Sequence, residues 1–175
     1  MDRYITAFIL NRKKYYCIWY TDDFDGFETK DNKLIYFLSL EDLYNYCNIN
    51  NIVLKDEEVI FDDINFFIDW LNNNIFEVDC NLFLNFWNTV GDVANSIKED
   101  FYGNEDGKQN EILDVYNRLF YGCNLEVMRG KDGEMYYPKW DEEDMQIIKS
   151  VVIDGIRILK KALNINLKNE YKLID

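Results

Sequence analysis

The sequence predicts an α+β fold in which a small antiparallel N-terminal sheet with short helices packs on a C-terminal antiparallel helical bundle. Three observations predict it. Short runs of β-branched and aromatic residues, separated by turn residues, fill the first third of the chain. From residue 79 onward, apolar residues recur at helical spacing. Apolar residues make up 48% of the 175 residues, which suffices for one compact unit with two parts, 1–79 and 80–175.

The first strands are predicted at TAFILN (6–11) and YYCIWY (15–20), with a charged turn between them. Two further turns, TDDFDG and DNK, lead to LIYFL (34–38), so four short strands would form an antiparallel meander. A helix is predicted from Ser39, whose hydroxyl can cap the first turn with Asp42 as its reciprocal partner. NNIVLK (50–55) predicts a further short strand.

The segment DEEVIFDD (56–63) carries five carboxylates in eight residues and no positive charge. Its VIF core predicts a strand, and Asp62 is predicted to cap a helix over residues 63–73. Four apolar residues recur at helical spacing there: Ile64, Phe67, Ile68 and Leu71. Carboxylates at a helix start accept unpaired backbone N–H groups, which contributes roughly 0.5–2 kcal/mol. That role explains Asp62 and Asp63, but not the first three acids of the segment.

The second part predicts three long helices. The first starts at Asp79 and has one broad apolar stripe, made of Leu82, Phe83, Phe86, Trp87, Val90, Val93, Ala94 and Ile97. Its opposite, polar face comprises Asn85, Asn88, Asp92, Asn95 and Ser96. The second helix covers EILDVYNRLFYG and ends at Gly122. The third runs over about 142–163, opened by the acids of DEED and closed by lysines, with Lys149, Arg157, Lys160 and Lys161 facing water.

The charge balance points to the kind of partner. The chain has 33 acidic and 19 basic residues, for a net charge of −14, and residues 1–79 alone carry −9. Such a surface repels nucleic acid and anionic lipid, and it attracts basic macromolecules from a distance. The N-terminal apolar run is too short for a signal peptide, and no apolar stretch of 18 residues occurs. We therefore expect a cytoplasmic protein that binds neither nucleic acid nor membrane.

The sequence offers little for catalysis, and we expect neither an enzyme nor a cofactor. The chain has no histidine, no CxxC pair among its four cysteines and no glycine-rich phosphate loop. Asp22, Asp23 and Asp25 resemble half of a calcium loop, but DDFDG lacks the 12-residue spacing and the bidentate glutamate. A solvated turn is the simpler interpretation. The alternative enzyme class is a metal-dependent hydrolase built on clustered carboxylates, and a further alternative is a helical scaffold protein.

Two segments are candidate partner-binding surfaces, because each places acids beside large apolar residues. We call the first the strand patch (residues 56–63). Its candidates are Asp56, Glu57, Glu58, Phe61, Asp62 and Asp63. The second is the turn patch (residues 19–25). Its candidates are Trp19, Tyr20, Asp22, Asp23, Phe24 and Asp25. The acids would steer a basic partner and the exposed aromatics would hold it, whereas a buried edge strand with wet acidic ends is the structural alternative for the strand patch.

Three motifs in the helical part carry a family resemblance. LNFWNTVGDVA (84–94), VYNRLFYGCNL (115–125) and YYPKW (136–140), in that order, resemble the immunity proteins of bacterial contact-dependent growth inhibition systems. The match covers roughly 80–163, and its motifs consist mainly of core and turn residues. The resemblance implies that Trp87 and Trp140 pack in the core, and that Gly122 and Asn124 shape the turn after the second long helix.

The resemblance also implies a function. Such immunity proteins are cytoplasmic, have no catalytic role, and bind the C-terminal toxin domain of a delivered effector, which is often a nuclease. They inhibit it by blocking or covering its active site. A nuclease is basic where it grips its substrate, so an acidic partner suits it physically. The expectation is therefore an immunity protein for a basic cognate toxin domain, with the strand patch facing a cationic cleft.

Overall fold

The computed structural model describes residues 1–56, 58–73, 77–104, 109–126 and 134–165. Its class is α+β, as predicted: short strands lie in the N-terminal part, and helices dominate from residue 80 onward. The strands are β1 (Asp2–Leu10), β2 (Lys13–Thr21), β3 (Gly26–Phe27), β4 (Thr29–Lys30), β5 (Lys33–Leu34), β6 (Tyr36–Phe37) and β7 (Val59–Asp63). The helices are α1 (Leu40–Asn50), α2 (Ile64–Asn72), α3 (Cys80–Ile97), α4 (Gln109–Gly122) and α5 (Glu142–Ala162), with a 3-10 turn at Tyr102–Asn104.

The sheet is built around the β1–β2 hairpin. The two strands pair antiparallel over nine residues each, and Asn11 and Arg12 join them with positive φ angles of 51° and 59°. A two-residue loop with both residues in the left-handed region matches the twist of a hairpin. Both β3 and β6 pair with β2, whereas in a meander each strand pairs with the next one along the chain, so the predicted four-stranded meander is wrong. Strands β4 and β5 form a separate small hairpin.

The sheet is mixed, which corrects the prediction of a purely antiparallel sheet. Strand β7 pairs parallel with β1, in a register that sets Ile5 opposite Val59 and Ile9 opposite Asp63. The reason lies in the preceding segment. Residues 52–54 form no strand, contrary to the prediction for NNIVLK, and the Lys55 backbone N–H donates to the Arg3 carbonyl at 2.8 Å. The chain therefore arrives beside the start of β1 and runs in the same direction.

Helix α1 covers one face of the sheet. Leu43 and Cys47 of α1 pack with Ile5 of β1 and Ile18 of β2 in a small buried cluster. The helix begins where Ser39 predicts, because the Ser39 Oγ accepts the Asp42 backbone N–H at 3.1 Å. The predicted helix start is thereby confirmed.

Helix α2 follows β7 directly, and its cap corrects the prediction by one residue. Asp63, not Asp62, is the capping residue: its Oδ1 accepts the Asn65 backbone N–H at 3.0 Å. Ile64, Phe67 and Ile68 are buried as the spacing predicts. The bulkiest buried side chain in α2 is that of Trp70, whose Nε1 donates to the Glu77 carbonyl at 3.0 Å.

The helical part and the other face of the sheet share the main hydrophobic core. Phe8 and Cys17 of the sheet belong to the same buried cluster as Phe86 of α3 and Leu159 of α5. Helix α3 packs against both α4 and α5. Leu82, which the stripe places inside, is 37% exposed, and Leu84 is buried instead.

Two residues predicted on the wet face of α3 instead fasten it to the sheet. The Trp19 indole Nε1 donates to Asp92 Oδ2 at 3.0 Å, and the Phe27 backbone N–H donates to Ser96 Oγ at 2.9 Å. Both α3 side chains are half-buried. The polar face of this helix is therefore partly a docking face, because it supplies acceptors to donors at the edge of the sheet.

Helix α5 begins and ends with charged residues that are less exposed than predicted. Asp141 caps the helix with Asp144 in a reciprocal capping box, which confirms that DEED opens it. Asp144 is itself buried and forms a double hydrogen bond with Arg118 of α4. Lys160 is also buried, so its placement on the water-facing side was wrong, and burial lowers the pKa of its amine.

Candidate functional site

The strand patch begins with exposed acids. Asp56 and Glu58 are exposed, and the Asp56 Oδ1 accepts the Glu58 backbone N–H at 3.1 Å, which makes a local turn before β7. Glu57 lies outside the described residues. Both described carboxylates are therefore available to solvent in the region where the chain approaches the sheet.

The apolar centre of the strand patch is half exposed, because β7 is the last strand in the sheet order β3-β2-β1-β7. Val59 turns inward and packs beside the α1 cluster. Ile60 and Phe61 are 49% and 50% exposed. The Lys14 Nζ lies 4.7 Å from the centroid of the Phe61 ring, a cation–π contact on the surface. Ile60 and Phe61 are consecutive strand residues, so their half-exposed side chains lie on opposite faces of the sheet, and the alternative of a buried edge strand does not describe the patch.

The last two acids of the strand patch have structural positions. Asp63 caps α2, as described above. Asp62 pairs in register with Phe8, so its side chain is on the sheet face that the helical part covers. Burial raises the pKa of Asp62 to about 6, and within the described residues its Oδ2 atom has no hydrogen-bond partner. Asp62 is therefore poorly placed to meet a partner, although the sequence predicts it as a binding residue.

The turn patch divides into a structural half and an exposed half. Trp19 is half-buried and hydrogen-bonded to Asp92, and Tyr20 is half-buried beside Gly26, where an added Cβ would lie 2.8 Å from the Tyr20 hydroxyl oxygen. These two aromatics are committed to packing. The remaining residues are all exposed: Asp22, Asp23, Phe24 and Asp25. Phe24 is 84% exposed, more than any other large apolar side chain in the described part of the chain.

The structure brings the exposed acids of both patches to one end of the sheet. Asp2 of β1 is opposite Thr21 of β2, just before the acidic turn, while Lys55 hydrogen-bonds to the neighbouring Arg3. Adjacent strands lie about 4.8 Å apart, so the two chain segments that flank β1 are roughly 10 Å from each other. We call this surface the acidic end. It comprises Asp22, Asp23, Asp25, Asp56 and Glu58.

Little positive charge offsets the acidic end. Lys55 forms an ion pair with Asp2, and the N-terminal amine lies 3.6 Å from Asp22 Oδ1. Arg3 pairs with Glu28 at 3.1 Å. Each of these cations is paired with one acid, so the other acids of the acidic end give the surface a net negative charge. A basic partner would meet that charge first.

A groove beside the acidic end was missed by the sequence analysis. It lies between α3 and α4 and has a volume of about 740 Å³. Carboxylates from Asp25 and Asp92 line one part, and carboxamides of several asparagines and the Tyr116 side chain line another. Among the described residues that line it, none is lysine or arginine. The signal in the sequence is the polar row of α3 (Asn88, Asp92, Asn95) interrupted by a glycine, Gly91.

The Asp92 carboxyl group of the groove is affected both by burial and by neighbouring residues. Burial raises the pKa of Asp92; the hydrogen bond from Trp19 opposes that shift, and the negative charge of Asp25 adds to it. Across the groove, the Tyr116 hydroxyl donates to Asn88 Oδ1 at 2.9 Å and so links α4 to α3. The groove is therefore a concave surface whose charge is negative.

The second and third motifs of the family resemblance meet at the end of α4. Helix α4 ends at Gly122, where an added Cβ would lie 2.4 Å from Cys80 Sγ. The Asn124 Nδ2 donates to the Gly122 and Tyr136 carbonyls at 2.9 Å, and the Asn124 Oδ1 accepts the Tyr136 N–H at 2.7 Å. These contacts bear out the predicted turn-shaping role.

The two tryptophans of the resemblance also pack as expected. Trp87 is buried, and Trp140 is half-buried against the main core, with the Arg118 guanidinium 5.2 Å from its ring centroid. In the described residues, no group of three or more cysteine, aspartate or glutamate side chains could hold a metal ion. None of the described helices is both long and apolar enough to cross a membrane.

The fold defines an α+β protein whose exposed features are an acidic end and an acidic groove. Compared with known proteins, the chain matches no family model, no curated protein and no solved structure. Function is therefore inferred from the surface and from the motifs.

Proposed function

We propose that this chain is an immunity protein, which binds a cognate toxin domain and neutralises it by covering its active site. The toxin would be basic, and a nuclease fits best. The observation that carries the proposal is the acidic end of the sheet, with five described carboxylates and an adjoining phenylalanine, Phe24, that is 84% exposed.

The physical argument joins long-range attraction to short-range contact. A net charge of −14 accelerates the approach of a basic partner, and a nuclease must be basic where it grips phosphate. Carboxylates at the acidic end would occupy the positions that phosphates take in the substrate. Exposed aromatic side chains supply most of the lasting affinity in such interfaces, and Phe24 and Phe61 are available for that role.

The family resemblance supports the proposal at the level of fold. Its motifs lie in α3 and around the end of α4 and consist mainly of packing and turn residues, so they support the fold more than they locate a binding surface. Immunity proteins diversify where they contact their toxins, and the acidic end lies in the part of the chain that the motifs do not cover. The proposal therefore takes the class from the motifs and the binding surface from the charge.

The decisive experiment uses the product of the preceding reading frame. Co-expression with this chain should restore the growth of cells that the product alone arrests, and an affinity tag on the chain should retain the product through purification. A product that is harmless alone, or that does not co-purify, would refute the proposed function.

A charge variant tests the surface. In the double variant Asp56→Asn, Glu58→Gln, association with that product should slow several-fold at 50 mM salt, and the difference should shrink near 500 mM salt because screening shortens electrostatic range. The control Asp69→Asn, Glu111→Gln removes two exposed acids outside both patches. Equal slowing in both variants would mean that net charge, and not the acidic end, governs association.

A further inference from the structure

We infer that the α3–α4 groove binds an arginine side chain of the toxin, with its guanidinium between Asp25 and Asp92. The inference rests on the proposed function and deepens it, because it names the chemical group that the groove recognises. It is independent of the strand patch, since the groove lies against the turn patch and is formed mainly by helices.

Charge is the first argument. Asp25 and Asp92 both line the groove, and neither forms an ion pair with a described lysine or arginine. Burial raises the pKa of Asp92, and the charge of Asp25 adds to that rise. Trp19 satisfies only one oxygen of Asp92, Oδ2. A guanidinium offers five N–H donors in a planar fork, so it can bind both carboxylates at once and relieve their repulsion.

Shape and polarity are the second argument. A volume of about 740 Å³ admits a long side chain and part of its backbone. The α4 wall contributes Leu113 and Tyr116, which can cover the aliphatic stem of an arginine while its head stays with the carboxylates. The asparagines around the rim add carbonyl oxygens that accept further N–H groups. A negatively charged ligand would find no described cation in the groove.

Lysine is the closest competitor. Its ammonium is compact and strongly hydrated, and it cannot bridge two carboxylates with a planar fork. We therefore expect arginine to bind more tightly than lysine, and the titration below measures both.

The test uses the full chain, labelled with ¹⁵N, and the peptide Ac-Gly-Arg-Gly-NH₂ as the probe. Its control contains citrulline, which keeps the shape of arginine without its charge. The arginine peptide should shift the side-chain amide signals of Asn88 and Asn95 in a saturable manner, the lysine peptide should do so more weakly, and the citrulline peptide should not. Shifts without saturation, or shifts confined to residues outside the groove, would overturn the inference.

A matched pair of variants separates the groove from net charge. Asp25→Asn and Asp23→Asn each remove one acid from the same exposed turn, but only Asp25 lines the groove. Asp25→Asn should weaken arginine-peptide binding at least threefold, and Asp23→Asn less than twofold. An equal effect of the two substitutions would refute a specific site.

Gly91→Ala tests whether the peptide binds in the groove, because its expected effects on stability and on peptide affinity have opposite signs. An added Cβ at Gly91 meets only Asn104, at 3.7 Å, which is ordinary contact, so the methyl group fills groove space without a clash. Alanine also favours a helix over glycine, so Tm should rise by a few degrees. Peptide affinity should nevertheless fall, and an unchanged affinity would contradict binding in this groove.

The same variants distinguish this inference from the proposed function. If the toxin domain binds and Asp25→Asn weakens it no more than Asp23→Asn, the groove inference fails and the immunity function stands. If the toxin domain does not bind the wild-type chain at all, the immunity function fails, and the peptide titration alone decides what the groove binds.

Discussion

Asp62 offers the sharpest test of the structure. Its carboxyl group is half-buried on the covered face of the sheet, its Oδ2 has no hydrogen-bond partner among the described residues, and burial raises its pKa to about 6. In the unfolded chain the pKa returns to the ordinary value of 3.8. Folding therefore favours the protonated carboxyl group. Its contribution to the free energy of unfolding is fully present below pH 3.8, the pKa in the unfolded chain, and is lost as the pH rises through 6, the pKa in the folded protein.

The magnitude follows from linkage. Each unit of difference between folded and unfolded pKa corresponds to about 1.4 kcal/mol, so the ionised form costs about 3 kcal/mol at pH 8. At pH 4 the unfolded group is only partly ionised, and the cost is about 0.5 kcal/mol. Asp62→Asn removes this titration. Between pH 4 and pH 8, its free energy of unfolding should therefore gain about 2.5 kcal/mol relative to the wild type.

The assay is urea denaturation of both proteins at pH 4, 5, 6, 7 and 8, followed by tryptophan fluorescence. The change with pH matters more than the value at one pH, because an asparagine amide at this position carries a constant desolvation cost of its own. The gain should appear mainly between pH 4 and 6, where the unfolded chain loses its proton and the folded chain keeps it.

The control is Asp56→Asn, which removes the same charge from an exposed side chain and relieves no burial. Its stability relative to the wild type should show no comparable rise with pH. A flat difference for Asp62→Asn would refute the reasoning, since it would mean that the carboxyl is solvated in the folded protein. If the stability of Asp62→Asn relative to the wild type fell with rising pH, a positively charged partner would be stabilising the ionised Asp62 carboxylate.

Two further predictions concern the helical part. Arg118→Met should lower the free energy of unfolding by about 2–3 kcal/mol at pH 7 in urea melts, because it leaves the buried Asp144 carboxylate without its cation. Burial alone raises the pKa of Asp144, but Arg118 lowers that pKa below the ordinary value, so the stability that the pair contributes should vanish as the pH falls through the lowered pKa. A loss of stability in Arg118→Met that persists at such low pH would contradict this prediction. Gly122→Ala should lower the free energy of unfolding by about 1–3 kcal/mol, because the added methyl group clashes with Cys80 Sγ. Adding Cys80→Ala to the same chain should recover most of that loss in a thermal melt. Strictly additive effects of the two substitutions would exclude the contact.

Local signals in the sequence were enough to place most helices. Ser39, Asp79 and Asp141 cap helices at the points where an acceptor side chain precedes an apolar-periodic segment. The end of α4 at Gly122 is confirmed in the same way. Caps and periodicity depend on residues within one or two turns, and the sequence displays such neighbours directly.

The sequence does not identify the capping residue of α2, because two adjacent residues satisfy the same capping rule. Asp62 and Asp63 are both acceptors before an apolar run, and the pattern does not say which one caps the helix. The length of β7 decides it: the strand pairs with β1 through both Asp62 and Asp63, so the helix begins only at Ile64, and Asp63 directly before it accepts the Asn65 N–H. Pairing between distant segments is invisible to a local pattern, and for the same reason the mixed sheet was not predicted.

The groove could not be predicted from the sequence, because it exists only when distant segments pack together. Asp25, Asp92 and Tyr116 come from a turn and two helices, and nothing in their spacing brings them together. The polar face of α3 is typical of solvent exposure, yet Asp92 and Ser96 receive hydrogen bonds from the sheet. Periodicity assigns a face to the outside, but only the packing decides whether another element covers it.

The parallel pairing of β7 with β1 has a consequence for how the chain folds. The β1–β2 hairpin closes through a two-residue loop, whereas β1 and β7 join residues more than fifty positions apart. The cost in chain entropy of closing a loop grows with its length, so β7 should be the last strand to join. While the polypeptide is still being synthesised, one edge of β1 therefore stays open until residue 63 has emerged, and the growing chain can pair there with another copy of itself.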